Sequence, residues 1–105
     1  MKLIKTKFKG LFLCEKETYL DNRGYFRELF VEKIIKNNFI FDVMSHSKKG
    51  VLRGLHFQTD NPQGKYITVL RGKVFDVAVD LRKKSKTYGK YFSTILSEKK
   101  NVSIS

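Results

Sequence analysis

Tryptophan is absent from this 105-residue chain, proline and cysteine occur once each, and 10 acidic residues stand against 22 lysines and arginines. Each scarcity excludes something. A single thiol, Cys14, allows no internal disulfide and no Cys-based zinc cluster, and it suits a reducing cytoplasm. Its neighbours Leu11, Phe12 and Leu13 predict a buried, inert thiol rather than a nucleophile. No apolar stretch approaches the roughly 18 residues of a membrane span, and no signal-peptide arrangement opens the chain. A soluble, cytoplasmic protein without a membrane partner is therefore expected. The chain also shows no internal repeat, low-complexity tract or linker.

What is present suits a small folded domain. The length allows one domain, spanning 1–105, and 41% apolar residues allow it a core. Nine Phe and five Tyr favour packed strands over disorder. The formal charge of +12 draws polyanions: nucleic acid, anionic lipid or nucleotide-like small molecules. Lysines such as those at 2, 5, 7, 9, 48, 49, 83, 84, 86, 90, 99 and 100, however, are spread rather than gathered on one helical stripe. That spread predicts no nucleic-acid partner.

Apolar runs and turn residues predict strands at 2–9 and 11–14, separated by Gly10, and at 25–31 after the turn Asp21-Asn22-Arg23-Gly24. A short helical turn over 32–36 stops at Asn37-Asn38. Further strands are expected at 39–44, 51–58, 66–71, 74–82 and 91–97, with Arg71-Gly72-Lys73 a tight reversal. Alternation is clearest over 74–81, where Phe75, Val77, Val79 and Leu81 form the expected core face. Val74, Asp76, Ala78 and Asp80 share the other face, and its two carboxylates either line a cavity beside His56 or face water. Many short strands and little helix predict an all-β sandwich or barrel.

Chemistry concentrates in Gly50-Val51-Leu52-Arg53-Gly54-Leu55-His56-Phe57-Gln58 and Pro62-Gln63-Gly64-Lys65. An imidazole poised near neutral pH, a guanidinium fork and an ammonium suit an anionic substrate with an acidic C–H. A lone histidine in a β-rich segment also serves packing, and spacing alone leaves both roles open. Arg53 and His56, three apart, leave a regular strand on opposite faces. Both enter one pocket only if the strand is irregular, as at Gly54, unless Arg53 serves a second subunit.

Four segments, taken together, resemble the dTDP-4-dehydrorhamnose 3,5-epimerase family. They are Asp21 to Glu28, Lys49 to Gln58, Gln63-Gly64-Lys65, and Val74 to Arg82 with Ser85 to Lys90. The match runs in consistent order from residue 1 to about residue 100. It implies an all-β, cupin-type jelly roll with minimal helix, of which 1–105 is the N-terminal portion, and a cytoplasmic homodimer. The implied activity inverts C3 and C5 of a 4-keto-6-deoxy nucleotide sugar on the route to rhamnose in cell-surface polysaccharide. Carried over by position, His56 matches the catalytic base and Lys65 the lysine beside the 4-keto oxygen. Arg23, Glu28 and Arg53 match nucleotide-sugar contacts, and Phe26 an aromatic near the nucleotide. No cofactor or metal is implied: metal-binding cupins carry His-x-His, whereas this chain has His56-Phe57-Gln58 and only His46 besides.

The resemblance also carries departures. The family continues into an Ile-Pro-x-Gly-Phe-Ala-His-Gly-Phe segment, a tyrosine acid, a carboxylate orienting the catalytic histidine and the second half of the jelly roll, so an impaired fragment is expected. Residues Lys99 to Ser105 fit the family poorly. Phe41 and Val43 stand where Gln and Asn contact the nucleotide base, which weakens the implied thymine preference. The rival reading is a noncatalytic nucleotide-sugar or polyanion-binding β module built on Arg23, Arg53, Lys65 and the surface lysines.

Overall fold

Aromatic and β-branched residues between turn formers give short antiparallel strands wherever the chain supplies a partner. The computed structural model describes residues 1–100 and 102–104. Its strands are β1 (Lys2–Lys5), β2 (Phe12–Glu15), β3 (Thr18–Asp21), β4 (Gly24–Arg27), β5 (Lys73–Val79), β6 (Tyr91–Ser97) and β7 (Val102–Ile104). One helical turn, α1 (Glu32–Ile35), lies between β4 and β5. Among the described residues no helix is long and apolar enough to cross a membrane.

Local chemistry makes the hairpins. Between β1 and β2 the Thr6 hydroxyl accepts from the Phe8 N–H at 3.1 Å and donates to the Leu11 carbonyl at 2.8 Å. The β3–β4 hairpin closes with Asp21 opposite Gly24. β5 and β6 pair over seven positions, with Val74 opposite Leu96, Asp76 opposite Thr94 and Ala78 opposite Phe92. Sheet order is β1-β2-β7, and Leu13 of β2 lies opposite Ile104. Phe8, Cys14, Ile35, Leu96 and Ile104 are buried and form the core.

Several expectations are corrected. No strand forms over 39–44 or 51–58, and 66–71 contributes only the Ile67–Ile104 bridge. Val43, Leu52 and Phe57 have strand-forming character but are 84%, 90% and 75% exposed. A strand exists only through ladder hydrogen bonds to a neighbour, and this stretch has none among the described residues. The strands expected over 2–9, 25–31 and 74–82 are shorter, ending at Lys5, Arg27 and Val79, while β3 and β7 were not expected.

The two faces of β5 are also not as the alternation suggested. Val77 and Val79 are half-buried, but Phe75 and Leu81 are largely exposed, while Asp80 on the other face is buried. The reason is local compensation. Asp80 Oδ1 accepts from Arg82 Nε at 2.9 Å, and its Oδ2 accepts from Arg82 Nη2 at 3.0 Å, Ser85 Oγ at 2.6 Å and Thr87 Oγ1 at 2.5 Å. A carboxylate with its lone pairs so occupied tolerates burial. Those donors, Arg82 first, hold the Asp80 carboxyl far below the usual carboxylate range. Asp76, half-buried and without such donors among the described residues, is pushed up by burial.

Candidate active site

The β3–β4 turn builds the first part of the site. Asp21 accepts from the Arg23 backbone N–H at 2.8 Å and from Arg23 Nη2 at 2.7 Å, so one carboxylate fixes both the turn and the guanidinium. The Arg23 side chain, and then its backbone N–H, hold the Asp21 carboxyl below its ordinary value. Asp21, Arg23, Gly24, Tyr25 and Phe26 line a shallow cavity of about 240 Å³. Phe26 lies 6.4 Å from the Tyr19 ring, and the Arg27 guanidinium sits 4.8 Å over Tyr25. The Glu28 carboxylate faces the Met1 ammonium at 3.7 Å.

Residues 40–65 form an exposed arm that carries the other candidate residues, Arg53, His56 and Lys65. Its base is held by Phe30, Phe39 and Tyr66, whose ring centroids are 5.8–6.2 Å apart, and by the Tyr66 hydroxyl, which donates to the Leu29 carbonyl. Beyond the arm, Lys16 donates to the Thr68 hydroxyl at 2.6 Å. Burial, with Arg27 as a further cause, pulls the Lys16 ammonium down, and burial pushes the neighbouring Cys14 thiol up. Cys14 is fully buried, as its apolar neighbours predict.

Within the arm, Arg53 Nε donates to Ser47 Oγ at 2.8 Å and Nη2 to the His46 carbonyl at 3.1 Å. No strand forms around Gly54, so the condition set for Arg53 and His56 to share a pocket does not arise in that form. The φ of Gly54 is +96°, and a Cβ there would stand 3.3 Å from the His56 backbone nitrogen and 3.5 Å from His56 Nδ1. Glycine thus lets the His56 ring fold back over the backbone. His56 and Lys65 are exposed and make no hydrogen bond or ion pair with the described residues.

The structure therefore brings Arg23 and Phe26 onto one cavity and occupies Arg53 locally. No hydrogen bond, ion pair or ring contact among the described residues joins His56 or Lys65 to Arg23, Phe26 or Glu28. Sequence reasoning missed Asp21 as the residue that orders Arg23. The signal was available, since Asp two residues before a turn N–H is an Asx-turn former.

The family model for dTDP-4-dehydrorhamnose 3,5-epimerase matches residues 5–105. The chain belongs to this family. It is 51% identical over 102 residues to the dTDP-4-dehydrorhamnose 3,5-epimerase of Methanothermobacter thermautotrophicus, covering 92% of this chain and 55% of that protein. It superposes with TM-score 0.90 and 41% identity on the Legionella pneumophila dTDP-6-deoxy-D-glucose-3,5-epimerase solved with dTDP-4-keto-L-rhamnose, covering 98% of this chain and 58% of that one. For the Bacillus anthracis dTDP-4-dehydrorhamnose 3,5-epimerase solved with TDP and pyrophosphate, the values are TM-score 0.91, 35% identity, 98% and 63%. This epimerase-family chain spans about half the length of the curated relatives it matches. The superpositions assign the all-β structure to the cupin-type jelly roll. The family match runs through residue 105, and Val102–Ile104 supplies the third strand of the β1-β2-β7 sheet.

Proposed function

We propose that the chain is the N-terminal portion of a jelly-roll epimerase domain that acts on a 4-keto-6-deoxy nucleoside diphosphate sugar, inverting C3 and C5. The observation that carries this reading is the 51% identity to a 3,5-epimerase across nearly the whole chain. The dTDP-sugar and TDP bound to two structural neighbours support a nucleotide-sugar ligand. In this reading the protein is a cytoplasmic homodimer and uses no cofactor.

The mechanism follows from carbonyl chemistry. A 4-keto group acidifies the hydrogens on both flanking carbons. His56 removes one as general base, and the Lys65 ammonium stabilises the enolate oxygen before reprotonation from the opposite face. Arg23, ordered by Asp21, keeps guanidinium N–H groups for a diphosphate, beside Phe26 for the base. Glu28 and Arg53 complete the proposed substrate contacts. The tyrosine acid and His-orienting carboxylate that the resemblance calls for lie outside these 105 residues, so exchange with little inversion is expected of this chain alone.

The test incubates the chain with a 4-keto-6-deoxy nucleotide sugar in deuterated buffer and reads deuterium at C3 and C5 by NMR. Slow exchange, reduced at least tenfold in both His56→Ala and Lys65→Ala, is expected; general-base catalysis contributes about 10²–10⁴-fold. Exchange equal in wild type and His56→Ala removes His56 from the mechanism. Nucleotide-sugar binding without any exchange favours the noncatalytic module.

A further inference from the structure

Six of the lysines that are scattered along the sequence come to one end of the fold. Arg82 Nη1 donates to the Lys9 carbonyl at 2.7 Å, and the Lys7 ammonium lies 5.7 Å from the Tyr91 ring centroid. These two contacts bring the β1–β2 turn against the β5–β6 connection. Lys7 and Lys9 thus share one end of the molecule with Lys83, Lys84, Lys86 and Lys90, and all six are exposed. Residues 1–14 and 81–97 contain no Asp or Glu; Asp80 borders the lysine loop, and Glu15 and Glu98 lie just beyond the two segments. The Asp80 side chain is 1% exposed and is already paired with Arg82. No counter-charge on these segments offsets the six ammonium groups.

The loop that carries them is held in one shape. Asp80 ties Arg82, Ser85 and Thr87, while the Gly89 N–H donates to the Asp80 carbonyl at 2.7 Å and the Lys90 N–H to the Thr87 carbonyl at 3.0 Å. A preorganised loop presents its charges without a large ordering cost on binding. Tyr88 is 54% and Tyr91 62% exposed beside the lysines, a pairing suited to a headgroup layer. Single-stranded nucleic acid needs open aromatic faces along a groove. Here Lys7 already lies over Tyr91.

We propose that this end of the chain docks on a membrane surface rich in anionic phospholipid headgroups. Peripheral attachment of this kind needs no spanning segment, only charge held near the headgroups. The proposal stands independently of the sugar chemistry.

The test measures flotation of the full chain with vesicles of phosphatidylcholine alone and of phosphatidylcholine with 30% phosphatidylglycerol. Binding to the anionic vesicles only is expected, falling steeply between low and physiological salt. Each lysine near such a surface accounts for about fivefold in partition, so Lys83→Gln, Lys84→Gln and Lys86→Gln together lower it on the order of a hundredfold. A control carrying Lys33→Gln, Lys36→Gln and Lys48→Gln keeps the same net charge and most of the binding. Lys83→Arg, Lys84→Arg and Lys86→Arg together retain it, and thermal unfolding shows that each variant is folded. Equal loss in the two glutamine triples means that net charge alone binds, which overturns the proposal. So does equal binding to neutral vesicles, or an oligonucleotide that binds more tightly at the same salt and displaces the vesicles.

Discussion

Replacing Gly54 by alanine separates the placement of His56 from the stability of the fold. At φ +96° an L-residue is strained, and the new Cβ would lie 3.3 Å from the His56 nitrogen and 3.5 Å from its ring. Holding a non-glycine residue in such a conformation costs about 1–3 kcal/mol. Every residue from 51 to 60 is exposed, so the segment relieves the strain by moving and disturbs no buried contact. The energy then appears as lost occupancy of the His56 position. Since 1.4 kcal/mol is tenfold in an equilibrium, deuterium exchange into the keto sugar should fall roughly 5- to 150-fold. The midpoint of thermal unfolding should move by less than about 2 °C, because little of the strain reaches the core. Gly50, also at positive φ but with no atom near its missing Cβ, provides the matched control as Gly50→Ala. Exchange unchanged in Gly54→Ala, or reduced equally in Gly50→Ala, would refute the idea that Gly54 positions His56.

Leu96→Ala, at a fully buried position, should cost about 2–5 kcal/mol in denaturant unfolding, and a loss below 1 kcal/mol would show that the β5–β6 sheet is not part of the core. Asp80 titrates far below an unfolded aspartate, so the stability it contributes is present above the usual carboxylate range and fades as pH falls through and below that range. Asp80→Asn should therefore flatten the acid limb of stability against pH below about pH 4, whereas an unchanged slope would contradict the network. Cys14 should resist thiol reagents at pH 8 until the chain unfolds, since it is buried and its thiol is pushed up; rapid native-state labelling would place it elsewhere.

Short-range chemistry was legible in the sequence. The reversals at Gly10 and at Asp21 to Gly24 and the buried Cys14 depend on residues within a few positions of one another. The motifs carrying the family resemblance are equally local, and so were Arg23 and Phe26 as neighbours on one turn. Only the tertiary structure decided what depends on a distant partner. Alternation over 74–81 could not tell which face would be covered, because that rests on donors from Arg82, Ser85 and Thr87 folding back onto Asp80. Strand-like composition at 39–44 and 51–58 did not make strands, because a ladder needs a neighbouring edge. Val102–Ile104 became a strand because β2 offers that edge some ninety residues earlier. In the same way lysines at 7 and 9 join those at 83–90 only through the contacts of Arg82 with Lys9 and Lys7 with Tyr91, since charge spaced along a chain becomes a surface only when the fold brings its segments together.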